Sequence, residues 1–376
     1  VLSKTVVGDG ADHTKPFEFT VTFFDNSTHS YQGQGVADGM ISSGGKVSLA
    51  DGQSIIIYGV AAGTLYSIAE KDYEPEYYSQ TSTGSIGSVS ADATSSASFV
   101  NRHLSDLTLS KVVTGKGAET DTDFDFVVSI DASGTFAYTG DKTGTLSDGD
   151  TVSLKGGQSL TIKGLPTGTA YSIDEKPSAH YRSEAQNASG VIEGGVTHAI
   201  FTNTHKLADI NLSKAVTGKG AESDTSFDFA VSLDATGTFE YTGDKSGTIA
   251  DGDTISLKGG QTVTIKDVPV GTEYGFVEQP STHYLTSSQD ATGTVGFSGS
   301  KVLFTNTHKV ADLTLNKTVT GRGAETTTDF DFVVSLDATG TFLYTGDKTG
   351  IISDGDTISL KGGQSITINN VPTGTG

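Results

Sequence analysis

The sequence predicts an all-β protein made of tandem β-sandwich modules, and three observations carry that expectation. Self-alignment finds LSKTVVG at Leu2, LSKVVTGKGAE at Leu109, LSKAVTGKGAE at Leu212 and LNKTVTGRGAE at Leu315, at separations of 107, 103 and 103 residues. A period near 100 residues suits one immunoglobulin-like sandwich per repeat. Each repeat also holds short alternating runs such as FDFVVSI and GQSLTIKG, separated by Gly, Asp and Pro turns such as SDGDT and LPTG. Finally, Gly is abundant at 48 of 376 residues, Trp is absent, and no helical period runs anywhere along the chain.

The modules follow from the repeat. Residues 1–103 form a divergent first copy, 104–206 and 207–309 the second and third, and 310–376 a fourth that stops just after its VPTG turn. That fourth copy reads as a truncated sandwich and the chain as a fragment of a longer protein. Between copies the chain runs from FTN through THKLAD into the next strand with no Gly/Ser-rich or Pro-rich linker, so the modules are expected to stack as a stiff rod.

Composition narrows the function. A formal charge of −21 without a basic block argues against nucleic acid and anionic membranes, which bind clustered Lys and Arg. With no cysteine, neither disulfides nor thiolate metal sites can staple these modules. No signal peptide, 20-residue apolar span or C-terminal anchor is evident, so the chain reads as cytoplasmic or as a mature extracellular fragment, with no membrane insertion. No cofactor-binding or metal-ligating pattern recurs.

Side-chain parity exposes an anomaly. In a strand alternate residues share a face, so Leu107, Leu109, Lys111 and Val113 line up together and a lysine enters an apolar row. By the same parity Glu175 follows Tyr171 and Ile173 inward, and Asn203 follows Ala199 and Phe201. The third repeat offers Lys214, Glu278 and Asn306, and the first Lys4, Glu70 and Asn101. Lys-to-Asn separations are 92, 92 and, in the first repeat, 97 residues, so the set keeps its register through an insertion.

Two readings compete for these inward polar residues. One is a buried Lys–Glu ion pair with Asn as a nearby hydrogen-bonding cap, although such pairs are weak stabilisers. The other is covalent. Burial lowers the lysine pKa and raises that of the carboxyl. A neutral amine can then attack the Asn side-chain amide while the acid polarises its carbonyl and shuttles protons. Ammonia leaves and an isopeptide bond remains, the rate coming from positioning in a dry core.

The order of an early-strand Lys, a Glu after a Tyr-x-(Ile/Phe) strand and a closing FTN resembles the isopeptide-forming domains of Gram-positive pilins and the collagen-adhesin B-type (CnaB-like) repeats. The resemblance covers essentially the whole chain. It implies bonds Lys4–Asn101, Lys111–Asn203 and Lys214–Asn306, with Glu70, Glu175 and Glu278 as the catalytic acids. Lys317 has no Glu or Asn partner in this sequence. A cross-link closing 92 residues should stabilise much as a disulfide does, by roughly 4 to 5 kcal/mol.

Other features have plainer explanations. The Asp-Gly-Asp triplets at Asp148, Asp251 and Asp354 read as hairpin turns rather than calcium loops. His205 and His308 read as part of a solvated linker at the module junction rather than metal ligands. In the first repeat the aromatic run around Tyr73, Tyr77 and Tyr78 marks the best contact surface. Nothing recurs that suggests turnover of an external substrate, so enzymatic activity beyond a single-turnover cross-link is not expected. The expectation is the stalk of a bacterial surface adhesin or fibre, anchored to the cell wall through sequence not present here. Any host protein or glycan would be held by another part of the chain. The alternatives are a sortase-polymerised pilus shaft subunit and a glycan- or host-protein-binding module centred on the first repeat.

Overall fold

The computed structural model describes residues 1–376 and contains strands, turns and a single 3₁₀ turn at Glu74–Glu76. Each of the first three modules is a sandwich of two sheets. In the third, the six-stranded sheet runs in the order Gly247–Ile249, Phe239–Gly243, Thr262–Pro269, Leu207–Thr217, Ser300–His308, Tyr284–Gln289. Its four-stranded partner runs Thr254–Lys258, Ser226–Leu233, Glu273–Glu278, Thr292–Thr294. The second module repeats this plan, and the first keeps the same strand order in both sheets.

Two pairings position the site. The opening strand of each module lies parallel to its closing strand, with Lys4 opposite Phe99, Lys111 opposite Phe201 and Lys214 opposite Phe304. Asn101, Asn203 and Asn306 lie two residues further along, beside Val6, Val113 and Val216. On the facing sheet Glu70 pairs with Phe19, Glu175 with Phe126 and Glu278 with Phe229. Strand alternation turns all three polar residues into the space between the layers. The cores are apolar around them, and in each module one Phe from each sheet meets edge to face across the gap, at 5.0 Å for Phe19–Phe99, 5.1 Å for Phe126–Phe201 and 5.0 Å for Phe229–Phe304.

The first two modules share a strand. Ala97–Thr114 is one 18-residue strand that closes the first sandwich with Asn101 and opens the second with Lys111, its register shifting once between Ser105 and Leu107. No linker separates these modules.

Three expectations need correction. The Asp-Gly-Asp triplets are not hairpin turns. Asp148 and Gly149 carry the chain from Gly144–Leu146 in one sheet to Asp150–Leu154 in the other. Both carboxylates are taken by backbone, Asp148 accepting from Ile130 N at 2.8 Å and Asp150 from Ser147 N at 2.7 Å, while Gly149 takes the φ of +79° that the turn needs. His205 is buried rather than solvated, and His308 packs edge to face on Tyr284 at 4.6 Å. Tyr73 and Tyr78 are core residues packed on Phe17, and of the three tyrosines only Tyr77 is exposed. The aromatic density serves the interior of the first module.

Candidate functional site

Each complete module brings its Lys, Glu and Asn together. In the second, Lys111 Nζ donates to Glu175 Oε1 at 2.8 Å and Asn203 Nδ2 donates to the same oxygen at 2.6 Å. In the third, Lys214 Nζ donates to Glu278 Oε2 at 2.8 Å and Asn306 Nδ2 to Oε1. The first is looser on the lysine side, with Lys4 Nζ 3.2 Å from Glu70 Oε1 and 3.5 Å from Oε2, and Asn101 Nδ2 donating to Oε1 at 2.8 Å. One carboxylate therefore holds both groups that a cross-link would join.

The surroundings are dry. The three lysines are 1–2 % exposed, among the most buried large side chains in the chain. Each ammonium lies over aromatic faces, Lys111 4.5 Å from the Phe124 ring and 5.8 Å from Phe126, with the same pairing for Lys4 and Lys214. Burial pulls the pKa of Lys4, Lys111 and Lys214 down, with the partner carboxylate opposing it, and burial pushes Glu70 up against the opposing charge of Lys4. Both directions favour passage of a proton from amine to acid.

The asparagines carry a second mark. Oδ1 of Asn101, Asn203 and Asn306 is buried without a hydrogen-bond partner. An orphaned buried carbonyl costs about 1–3 kcal/mol, and the same orphan arises in all three modules. A half-turn of the carboxamide would bring that oxygen to a protonated carboxyl, which is the arrangement that makes the amide carbon electrophilic.

Lys317 stands apart. Its ammonium lies 3.9 Å from the Phe330 ring, but it is only partly buried and has neither a Glu nor an Asn partner.

Two further sets of residues complete the site. Tyr78, Tyr181 and Tyr284 are buried, and their hydroxyls accept from the backbone N–H of Asp12, Glu119 and Glu222, tying the loop after the lysine strand to the strand beside the asparagine. Two residues beyond those tyrosines, Ser183 Oγ donates to Glu175 Oε2, and Thr286 Oγ1 donates to Glu278 Oε1 at 3.4 Å. The repeated HY-x-(Ser/Thr) in HYRS and HYLT was the signal available.

Sandwich domains with a buried Lys–Glu–Asn cluster thus define the class of the chain. It belongs to the family described as a domain of unknown function, DUF7601, whose model matches residues 1–103, 105–205, 208–308 and 311–376. It is 32% identical over 124 residues to the pilus tip adhesin Cpa of Streptococcus pyogenes, covering 31% of this chain; the chain spans 18% of that curated relative's length. Among solved structures, it is similar to the major pilin protein T3.2 of Streptococcus pyogenes, with 14% identity and a TM-score of 0.37 over 55% of this chain and 98% of the pilin. It is also similar to the pilus-presented adhesin Cpa, with 22% identity and a TM-score of 0.26 over 40% of this chain and 38% of the other.

Proposed function

We propose that this chain is a structural, load-bearing part of a bacterial surface adhesin or pilus, and that each complete module locks itself with a Lys–Asn isopeptide bond. The observation that carries the reading is the recurrence, in three modules, of a buried lysine and an asparagine on one carboxylate. The sequence similarity to a pilus tip adhesin supports the cell-surface setting.

The chemistry needs only residues present. Lys111 passes a proton to Glu175, and the freed amine attacks Asn203 Cγ as the Nζ–Cγ bond forms. The acid stabilises the developing oxyanion and then protonates Nδ2, which leaves as the Cγ–Nδ2 bond breaks. Of the three ammonium protons, one stays on the new amide, one departs with the ammonia, and one remains on Glu175. The core thereby loses its charges, which removes the cost of burying them. Because the lysine opens the module and the asparagine closes it, tension would pass through the bond and bypass the 91 residues between Lys111 and Asn203.

The mass of the intact chain tests this. It should fall three ammonia masses below the sequence, with Lys4, Lys111 and Lys214 in branched tryptic peptides, Lys317 free, and E175Q restoring one ammonia mass. A mass equal to the plain sequence overturns the reading.

A further inference from the structure

The three clusters differ in one hydrogen bond. The strand beside the asparagine starts with the buried tyrosine and places its third residue next to the carboxylate; that residue is Ser183 in the second module, Thr286 in the third and Gln80 in the first. Thr286 lies directly opposite Asn306, and Gln80 directly opposite Asn101, so these positions correspond. Ser183 and Thr286 are exposed, whereas the Glu175 and Glu278 side chains are 4% and 1% exposed. The hydroxyl therefore sits as a lid between a buried acid and solvent, reaching inward to it.

The lysine contact changes with that lid. With a hydroxyl on the carboxylate, the ammonium sits 2.8 Å from one oxygen in both modules. Glu70 receives no such bond, and Lys4 straddles its two oxygens at 3.2 and 3.5 Å. A carboxylate on a flexible stem has a broad terminal torsion, so a third donor narrows its orientation. A proton shuttle between two nitrogens depends on that orientation, since small displacements of reacting groups cost large factors in rate.

We propose that Ser183 and Thr286 are positioning residues that hold the catalytic glutamate in its productive orientation, making the second and third modules faster to cross-link than the first. This rests on the cross-linking reading, and it assigns the modules an order of maturation: the divergent first module closes last.

The test follows bond formation during cell-free synthesis of the full chain. Aliquots are quenched in acidic denaturant, and branched peptides from each module are quantified by mass spectrometry, with the third module as internal standard. S183A should slow the Lys111–Asn203 bond by about tenfold, the change expected when one hydrogen bond to a charged group is lost, while protease resistance of the second module appears at the wild-type pace. S183T should keep the wild-type rate, and Q80S should speed the Lys4–Asn101 bond. An unchanged rate in S183A, or S183T as slow as S183A, overturns the positioning role while leaving the cross-link intact. Absence of branched peptides from every module of the wild type would instead overturn the cross-link and this role with it.

Discussion

The third and fourth modules begin with nearly the same sequence and end in different environments. In both, the backbone of the key lysine is clamped identically, Lys214 N donating to Gln261 O and Lys317 N to Gln364 O, each at 2.9 Å. In both the ammonium lies over a Phe face, at 4.3 Å from Phe227 and 3.9 Å from Phe330. Yet Ile210 is fully buried and its counterpart Leu313 is 47% exposed. The later strands of the module make the difference. Glu273–Glu278 and Ser300–His308 cover the third module's opening strand, whereas Val310–Asn316 pairs only with Ser365–Pro372. The first two-thirds of a module thus builds the seat of the nucleophile, and the last third supplies its burial, its acid and its electrophile. Under the proposed chemistry, the bond can form only once the closing strand has docked, so cross-linking reports completed folding.

The largest expected effect of this contrast is mechanical. Pulled as single molecules, the first three modules should show no full-length extension if the proposed cross-link shunts force past the folded interior, while the fourth should extend at low force. K111A should add one extension on the order of 300 Å, the reach of about 90 freed residues at 3.3–3.6 Å each. A long extension from all three complete modules in the wild type would break the comparison, since closure would then confer no mechanical difference.

A smaller effect separates burial from the bond. In an N306A background neither the third nor the fourth module is cross-linked, so packing alone distinguishes them. Leu212 is fully buried and should lose about 2–5 kcal/mol on substitution by Ala, through transfer and cavity terms together. Leu315, only partly buried in the fourth module, should lose roughly 1 kcal/mol or less. Native-state hydrogen exchange at Phe229 and Phe342 reads each module separately. Equal losses would mean that the closing strands add no burial around the lysine strand.

Much of this was legible in the sequence, and the rest was not for identifiable reasons. The repeat and the period of two placed Lys111, Glu175 and Asn203 on inward faces because strand alternation is strict and their neighbours are plainly apolar. The Asp148 turn was misjudged because an Asp-Gly turn within one sheet and one crossing between sheets have the same local chemistry. The burial of Tyr73, Tyr78 and His205 escaped because amphipathic rings occur on both sides of a surface, and only the packed neighbour decides. Parity places Ser183 on the face of buried Tyr181, but Ser183 itself is exposed, and only the facing sheet shows that a carboxylate meets its hydroxyl.

The smallest effect is a pH dependence, and it tests what Lys214 has become. In N306A the amine survives in the apolar core, where burial holds its pKa below the ordinary lysine value while the hydrogen bond and charge of Glu278 partly offset the shift. On unfolding it returns to about 10.4. Between the lowered folded value and that figure the unfolded chain binds more protons than the folded one, so stability rises with pH through this window and is lost as pH falls through it. The urea midpoint of the third module should therefore climb on the alkaline side in N306A and stay flatter in N306A/K214M, the difference isolating Lys214 from other groups that titrate there. Under the proposed chemistry the wild type supplies the decisive contrast. An acylated Nζ has no proton to gain, so the third module of the wild type should lack this component. If wild type and N306A climb alike, Lys214 is still an amine in the native chain, and the third and fourth modules differ in burial alone.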